Sequence, residues 1–177
     1  MAAGTPVGTL VENTATVDYT LAGADYSVVS NTTTFFVAER IDVDVTLASG
    51  QVTVPAAAPD QALLFTLTNT GNGSESFSLD VDSLLAGDDF DPEPAIPSIY
   101  FDSDGSGDFN IGDVAYSAGS NDPVLAADES IDILVVNNIP ANVLNGQLGR
   151  SQLSATSLTG SGNPGDVYVG LGDGNTD

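Results

Sequence analysis

Hydrophobic and polar residues alternate along most of the chain, which is the pattern of β-strands that bury one face and expose the other. The alternation is clearest in three runs, at residues 41–47, 63–68 and 76–82. The segment 69–73 between the last two runs reads NTGNG. Because Gly and Asn tolerate positive φ, this segment predicts a hairpin turn. Later strands are predicted at 98–101, 114–116, 131–136, 153–158 and 166–171.

Turn signals separate these strands at regular intervals. No window of the chain shows a helical stripe of apolar residues, and Gly or Pro interrupts the pattern roughly every ten residues. Short strands with regularly spaced turn signals are typical of β-sandwiches. The sequence therefore predicts an all-β protein built as an antiparallel β-sandwich.

The first forty residues form a separate pattern. Runs at 10–21 and 26–37 are rich in Thr, Val, Phe and Tyr and flank the sequence AGAD, so they predict a hairpin. We accordingly divide the chain into an N-terminal β-hairpin or exchangeable strand segment at 1–39 and a sandwich at 40–177. A lone two-stranded hairpin is only marginally stable in water. We therefore expect it to pack on the sandwich or on another chain.

Two short motifs resemble those of a known family. Residues 11–19 read VENTATVDY, with SNT at 30–32 and FV at 36–37, and residues 65–72 read FTLTNTGN. This combination resembles the conserved-repeat family of bacterial and archaeal cell-surface proteins, in which an N-x-A-x-V-x-Y strand precedes Ig-like modules with an F-x-x-x-N-x-G-N turn. The resemblance implies an extracellular Ig-like β-sandwich in an envelope or appendage protein, with no catalysis.

Composition excludes several classes of function. The 177 residues include 25 acids and two bases, Arg40 and Arg150, for a net charge of −23, and there is no Cys, His or Lys. Without these residues, thiol chemistry, disulfides, Ser-His-Asp hydrolysis, zinc hydrolysis and Schiff-base catalysis are excluded. The charge would repel nucleic acid and anionic membranes, and no apolar run is long enough to insert into a membrane.

An acidic loop at 102–113 has the spacing of the twelve-residue calcium loop found in EF-hands and dockerins. It reads DSDGSGDFNIGD. Calcium takes about six to eight oxygen ligands on a tightly curled backbone, so acids at alternate positions around a glycine, here Gly107, favour its binding. The predicted calcium ligands are Asp102, Asp104, Ser106, Asp108 through its backbone carbonyl, Asn110 directly or through water, and Asp113.

The loop departs from the usual twelve-residue calcium loop in three ways, which affect its expected affinity and its structural setting. Ser106 stands where an acid is usual, and Asp113 stands where a longer, bidentate Glu is usual, so modest affinity is expected. The flanking residues 99–101 and 114–116 are strand-like rather than helical, so no EF-hand helix pair or sensor-type opening is implied. The competing interpretation is an acidic hairpin loop without a metal.

Other acidic clusters give weaker signals. Asp173 and Asp177 belong to a D-x-N-x-D segment that lacks the rest of a coordination shell, and residues 88–93 (DDFDPE) have the composition of a solvated loop. Paired carboxylates can hydrolyse glycosides, but sugar clefts usually also carry aromatic platforms, and this chain has no Trp and only 7% aromatic residues. We therefore predict that the protein is not an enzyme.

The functional prediction is a calcium-stabilised, non-enzymatic structural subunit of an extracellular surface assembly such as a filament, sheath or surface layer. Strand exchange through the N-terminal segment is the predicted route to a homo-oligomer or homopolymer. The alternative is a monomeric calcium-dependent adhesin that binds surface glycans or proteins. The start, MAAG, has neither the basic residues nor the apolar core of a signal peptide, and its small residues after a lone Met predict a mature secreted chain.

Overall fold

The computed structural model describes residues 4–158 and 167–168. Every regular element in this part of the chain is a strand, which confirms the all-β prediction. The strands are β1 (Leu10–Asn13), β2 (Thr16–Leu21), β3 (Ala24–Val29), β4 (Thr33–Phe36), β5 (Glu39–Arg40), β6 (Val43–Leu47), β7 (Gln61–Asn69), β8 (Glu75–Asp82), β9 (Glu93–Phe101), β10 (Val114–Ala115), β11 (Val124–Leu125), β12 (Ser130–Asn138), β13 (Gln152–Ser157) and β14 (Val167–Tyr168).

Two antiparallel sheets face each other and enclose the hydrophobic core. One sheet has the strand order β10-β9-β12-β7-β6, and the other has the order β11-β8-β13. The inward residues of both sheets meet in one cluster, as expected for a β-sandwich. Its buried members are Phe65, Leu67, Phe77, Leu79, Ile99, Leu125, Ile133, Val135 and Leu153.

The central strand of the larger sheet is buried on both faces. Ile133 and Val135 of β12 belong to the core, whereas Leu134 and Val136 alternate onto the outer face, yet all four are 0% exposed. A continuous apolar run of this kind is typical of a strand that is covered on both sides. The outer face of the five-stranded sheet is therefore covered over β12.

The predicted hairpin between the runs at 63–68 and 76–82 is wrong. β7 pairs with β6 and β12, whereas β8 pairs with β11 and β13 in the opposite sheet, so the turn at 69–73 crosses from one sheet to the other. The fully buried Asn69 holds this crossing: its Nδ2 donates to the carbonyl oxygens of Gly73 (2.8 Å) and Leu125 (2.9 Å). Alternation identified both strands but not their partners, because either arrangement buries the same side chains.

The glycines of this turn also serve a different purpose from the predicted one. Neither Gly71 nor Gly73 has a positive φ. A Cβ on Gly71 would meet the carbonyl oxygen of Arg40, and a Cβ on Gly73 would lie 2.8 Å from Oε1 of Glu39. Gly71 is required because the turn packs directly against the backbone that follows the N-terminal hairpin, whereas at Gly73 the Glu39 side chain could move aside.

Residues 10–36 form a long two-stranded hairpin, called here the N-terminal hairpin. β1 pairs with β4 and β2 pairs with β3, both antiparallel, and neither pair is joined to a sheet of the sandwich. Ala22 and Gly23 at its tip both have positive φ, at 52° and 81°, which is the signature of a type I′ turn. Whether the chain divides into domains at residue 39 stays a prediction.

Asn72 attaches the base of the N-terminal hairpin to the sandwich. Its Nδ2 donates to the carbonyl oxygens of Thr5 (3.2 Å) and Ala38 (2.9 Å), and its Oδ1 accepts from the backbone N–H of Arg40 (2.7 Å). Its own carbonyl oxygen accepts from the N–H of Val7 at 3.1 Å. One side chain of the β7–β8 turn thus links both ends of the hairpin to the sandwich.

The remaining strand predictions agree with the structure to within a few residues. The runs at 98–101, 114–116, 131–136 and 153–158 correspond to β9, β10, β12 and β13. Of the run at 166–171, only β14 lies within the described residues, and it pairs with β5. The two-residue strands β5 and β11 were not predicted separately, because two residues are too short to show a period.

Candidate metal centre

The acidic loop at 102–113 connects β9 to β10 at one edge of the five-stranded sheet. Val114 pairs with Phe101, and Ala115 with Tyr100, so strands flank the loop as predicted. The loop folds back over the outer face of the sheet: the ring of Phe109 packs on that of Tyr100, with centroids 4.6 Å apart. The loop therefore has a fixed platform.

A second contact places the loop near the centre of the sheet. A Cβ on Gly107 would lie 3.5 Å from Cδ2 of Leu64, and Leu64 is the neighbour of the fully buried Leu134 on the same face. Gly107 has a φ of 75°, a value that glycine adopts without strain. Glycine at this position thus permits both the turn of the loop and its close approach to the sheet.

Three carboxylates of the loop converge. Asp102, Asp104 and Asp113 each offer an oxygen within 4.8 Å of the other two, so this group could hold a metal ion. Oxygens that each lie about 2.3–2.6 Å from one calcium ion are at most about 5 Å from each other. The separations within this triad are therefore compatible with one shared ion. The loop brings together acids from its positions 1, 3 and 12.

Backbone N–H groups hold these carboxylates in place, and Asp104 accepts one such bond, from Ser106 (3.0 Å). Asp102 accepts from the N–H of Ser106 (3.1 Å) and of Gly107 (2.8 Å), and Asp113 accepts from the N–H of Ser103 (3.2 Å) and of Asn110 (2.7 Å). Each carboxylate oxygen has two lone pairs and can still bind a cation after accepting one of these bonds. The backbone therefore orients the acids without using up their capacity as ligands.

The amide of Asn110 lies among the oxygens at positions 3, 5 and 7. Its Nδ2 donates to Oδ2 of Asp104 (3.0 Å), Oγ of Ser106 (3.1 Å) and the carbonyl oxygen of Asp108 (3.2 Å). Three oxygens thus surround one partially positive group, which is the arrangement that a cation would also favour. For Asn110 to be a ligand itself, its amide must turn so that Oδ1 faces the ion.

The electrostatics of Asp104 favour its charged form. Hydrogen bonds to the side chain and then the backbone N–H of Ser106 lower the pKa of this carboxyl below its ordinary value. Asp104 is therefore fully ionised at neutral pH and available as a ligand. The side chain of Asp108 is exposed and does not belong to the converging triad; only its carbonyl oxygen faces Asn110.

The other acidic clusters have different outcomes. Asp88 and Asp89 accept from the backbone N–H groups of Arg150 (3.0 Å) and Leu148 (2.9 Å), so they hold a loop in place. Asp173 and Asp177 lie outside the described residues. The predicted set Asp102, Asp104, Ser106, Asp108, Asn110 and Asp113 remains a prediction as a calcium site.

Sequence reasoning missed a pair of carboxyl groups where the N-terminal hairpin joins the sandwich. Glu75 of β8 is 1% exposed, and its Oε2 accepts from the hydroxyl of Ser157 at 2.9 Å, while its Oε1 is buried without a hydrogen-bond partner. Burial, the charge of Glu75 and a hydrogen bond shared with Glu75 raise the pKa of Glu39. The missed signal was periodicity, since Glu75 has the same inward parity as Phe77 and Leu79.

The chain does not match any family model, curated protein or solved structure. Within residues 4–158 and 167–168, there is no helix of sufficient length and apolarity to cross a membrane. The case for a function rests on the residues and geometry of this chain.

Proposed function

We propose that this protein is a calcium-stabilised, Ig-like structural module that builds an extracellular surface assembly and has no catalytic activity. The observation that carries the proposal is the acidic loop, where three carboxylates converge and one of them, Asp104, shares the Asn110 amide with the oxygens of Ser106 and Asp108. In a chain with net charge −23, a divalent cation would relieve repulsion as well as order the loop.

The donor set favours calcium over other metals. All candidate ligand atoms are oxygens, from carboxylates, a hydroxyl, an amide and a backbone carbonyl, and such hard donors suit Ca²⁺ or Mg²⁺ rather than softer transition metals. Magnesium demands a small, nearly octahedral shell, whereas calcium accepts irregular shells that contain backbone carbonyls. A dissociation constant of roughly 10⁻⁴ to 10⁻³ M, which is the range of extracellular modules, is expected.

The position of the loop supports a structural role for the ion. The loop packs on Tyr100 and Leu64 over the most buried strand of the sandwich, and its two ends are the paired strands β9 and β10. An ion that fixes the loop would therefore protect the edge and the outer face of the larger sheet. This role needs no substrate and no chemical step.

The exposed N-terminal hairpin supports assembly over a monomeric adhesin. Its apolar side chains include Val17 (60% exposed) and Leu21 (61% exposed), and neither of its strand pairs is joined to the sandwich. Exposed apolar surface on a two-stranded hairpin is unfavourable in a monomer. Association of copies through this hairpin would cover that surface.

Titration calorimetry of two matched variants tests the calcium site. Asp104→Asn removes a converging carboxylate, whereas Asp108→Asn removes the same charge but keeps the backbone carbonyl. We expect calcium binding by the wild type and by Asp108→Asn, and binding at least about tenfold weaker for Asp104→Asn. Absence of calcium heat in the wild type, or equal weakening by both variants, would refute a specific site in this loop.

A further inference from the structure

We infer that the N-terminal hairpin of one copy docks its apolar face into a groove at the far end of the sandwich of a second copy. This inference rests on the proposed assembly function and specifies the two surfaces that meet. It follows from the faces of the hairpin, the lining of the groove, the charges on both and their placement at opposite ends of the sandwich.

The N-terminal hairpin has one apolar and one polar face. The register pairs Val17 with Val28, Tyr19 with Tyr26, and Leu21 with Ala24, so these six side chains share one face. The other face carries the pairs Thr16–Val29, Asp18–Ser27 and Thr20–Asp25. Five residues of the apolar face are between 46% and 61% exposed, namely Val17, Tyr19, Leu21, Tyr26 and Val28.

The groove lies between the sheets at the end of the sandwich where β7 begins. It has a volume of about 1190 Å³. It is bounded by the second half of β6, the first half of β7, the start of β13 and the loops at 50–56 and 143–151. Its apolar wall includes Leu47 (49% exposed) and Leu144 (70% exposed). The volume exceeds the range of about 300–1,000 Å³ that is usual for small-molecule sites, which favours a polypeptide occupant.

Arg150 gives the lining of the groove one positive charge, whereas the hairpin is acidic. Acids make up about one residue in seven of this chain, yet none of the described residues that line the groove is Asp or Glu. Arg150 does line it, and its guanidinium forms no ion pair with the described residues, where the only ion pair is that of Arg40 with Asp42. The hairpin carries acids at 12, 18 and 25 and no base. Asp88 and Asp89 lie at the rim of the groove, where they accept from the backbone N–H groups of Arg150 and Leu148, so the Arg150 guanidinium offsets only part of the acidic charge that the hairpin would meet.

The two surfaces lie at opposite ends of the sandwich. Asn72, in the turn that follows β7, holds the base of the hairpin, whereas Gln61 and Leu63 at the beginning of β7 line the groove. Contact between two different surfaces is heterologous, so a docked pair of copies leaves one hairpin and one groove free. Such a contact propagates into a linear assembly unless it closes into a ring.

The test uses matched substitutions at exposed positions of the full chain. Leu21→Asp alters the apolar face of the hairpin, and Thr16→Asp adds the same charge to its polar face. Leu144→Asp alters the groove, and Leu84→Asp adds the same charge at a residue that is 78% exposed and does not line the groove. Unchanged thermal unfolding of each variant would show that the sandwich is intact.

Sedimentation velocity with calcium present measures the association. We expect the wild type and the two controls, Thr16→Asp and Leu84→Asp, to associate equally. Leu21→Asp and Leu144→Asp should each raise the dissociation constant about a hundredfold or more, because either substitution places a carboxylate in the apolar contact. Mixing Leu21→Asp with Leu144→Asp should give a heterodimer that does not grow, since one variant retains a working groove and the other a working hairpin.

The other outcomes separate this inference from the proposed function. If the wild type and Leu144→Asp assemble equally while Leu21→Asp does not, hairpins pack on each other, and the groove inference is wrong although assembly stands. If the mixture of variants gives no heterodimer, the inference is also wrong. A wild type that stays monomeric at millimolar concentration would overturn both the inference and the proposed assembly.

Discussion

The sandwich and the N-terminal hairpin have the same alternating sequence pattern but opposite burial. In β7, Phe65 is 7% exposed and Leu67 is 0% exposed, because the opposite sheet covers them. In β2, Tyr19 is 46% exposed and Leu21 is 61% exposed, and among the described strands β2 pairs with β3 alone. Alternation therefore predicts that a strand has an apolar face, but it does not predict which partner covers that face.

The junction between these two regions is more polar than either apolar face. Arg40 donates from Nη1 to the carbonyl oxygen of Thr70 (2.9 Å) and pairs with Asp42, while Asn72 bonds both ends of the hairpin. Glu39 and Glu75 lie at the same junction. Directional bonds rather than hydrophobic burial therefore set how the hairpin meets the sandwich.

The largest expected difference between the two regions is in the cost of truncating an apolar side chain. Phe77→Ala removes a ring that is 0% exposed and should lower the free energy of unfolding by about 3–5 kcal/mol. Leu21→Ala removes an exposed side chain and should change it by less than ~0.5 kcal/mol under conditions where the protein is monomeric. Denaturant unfolding of both variants measures the contrast, and similar costs would show that the hairpin packs on its own chain.

The attachment of the hairpin should respond to the loss of Asn72. Asn72→Ala removes three side-chain hydrogen bonds to backbone groups, and we expect a cost of about 1–3 kcal/mol that falls on the junction. Hydrogen exchange should accelerate in β1 and β4 and stay unchanged in β12. Asn31→Ala, at an exposed residue of the hairpin, is the control and should leave both patterns as in the wild type.

Local patterns in the sequence predicted the elements of the fold better than their partners. The period of two located the strands that form the core, and the Gly/Pro spacing indicated a sandwich. Pairing depends on where a turn directs the chain, and here Asn69 turns it across the core through bonds to Gly73 and Leu125. A β11 residue more than fifty positions away completes that turn, so no local pattern could have predicted it.

The candidate metal loop could be predicted more completely, because its geometry is local. All its candidate ligands lie within twelve residues, and backbone bonds inside the loop orient Asp102 and Asp113. The carboxyl pair of Glu39 and Glu75 joins residues 36 positions apart, and only the tertiary fold brings them together. The sequence therefore predicts which side chains come together most completely where they are neighbours in the chain, as with the converging Asp102, Asp104 and Asp113.

Calcium should affect the two regions differently. At about a hundredfold excess of free ion over the dissociation constant, the sandwich should gain about 2.7 kcal/mol, with slower hydrogen exchange in β9 and β10 and none of this protection in the hairpin. Asn110→Asp replaces the amide among the ligand oxygens by a carboxylate and should tighten binding by about tenfold. Ser120→Asp adds the same charge outside the loop and should leave the affinity unchanged; equal tightening by both variants would indicate nonspecific attraction.

The smallest expected effect is the pH dependence of the junction. Because the pKa of Glu39 is raised in the folded state, its contribution to stability is fully present below the ordinary pKa of 4.5 and is lost as the pH rises through the folded value. Glu75→Gln removes the neighbouring charge and supplies an amide donor, so it should reduce this loss and raise the melting temperature at pH 7 by about one or two degrees. Glu12→Gln removes the same charge from the exposed hairpin and should leave the pH profile as in the wild type. If both variants shift the pH profile of stability equally, the overall charge of the protein, rather than the Glu39–Glu75 contact, governs that profile.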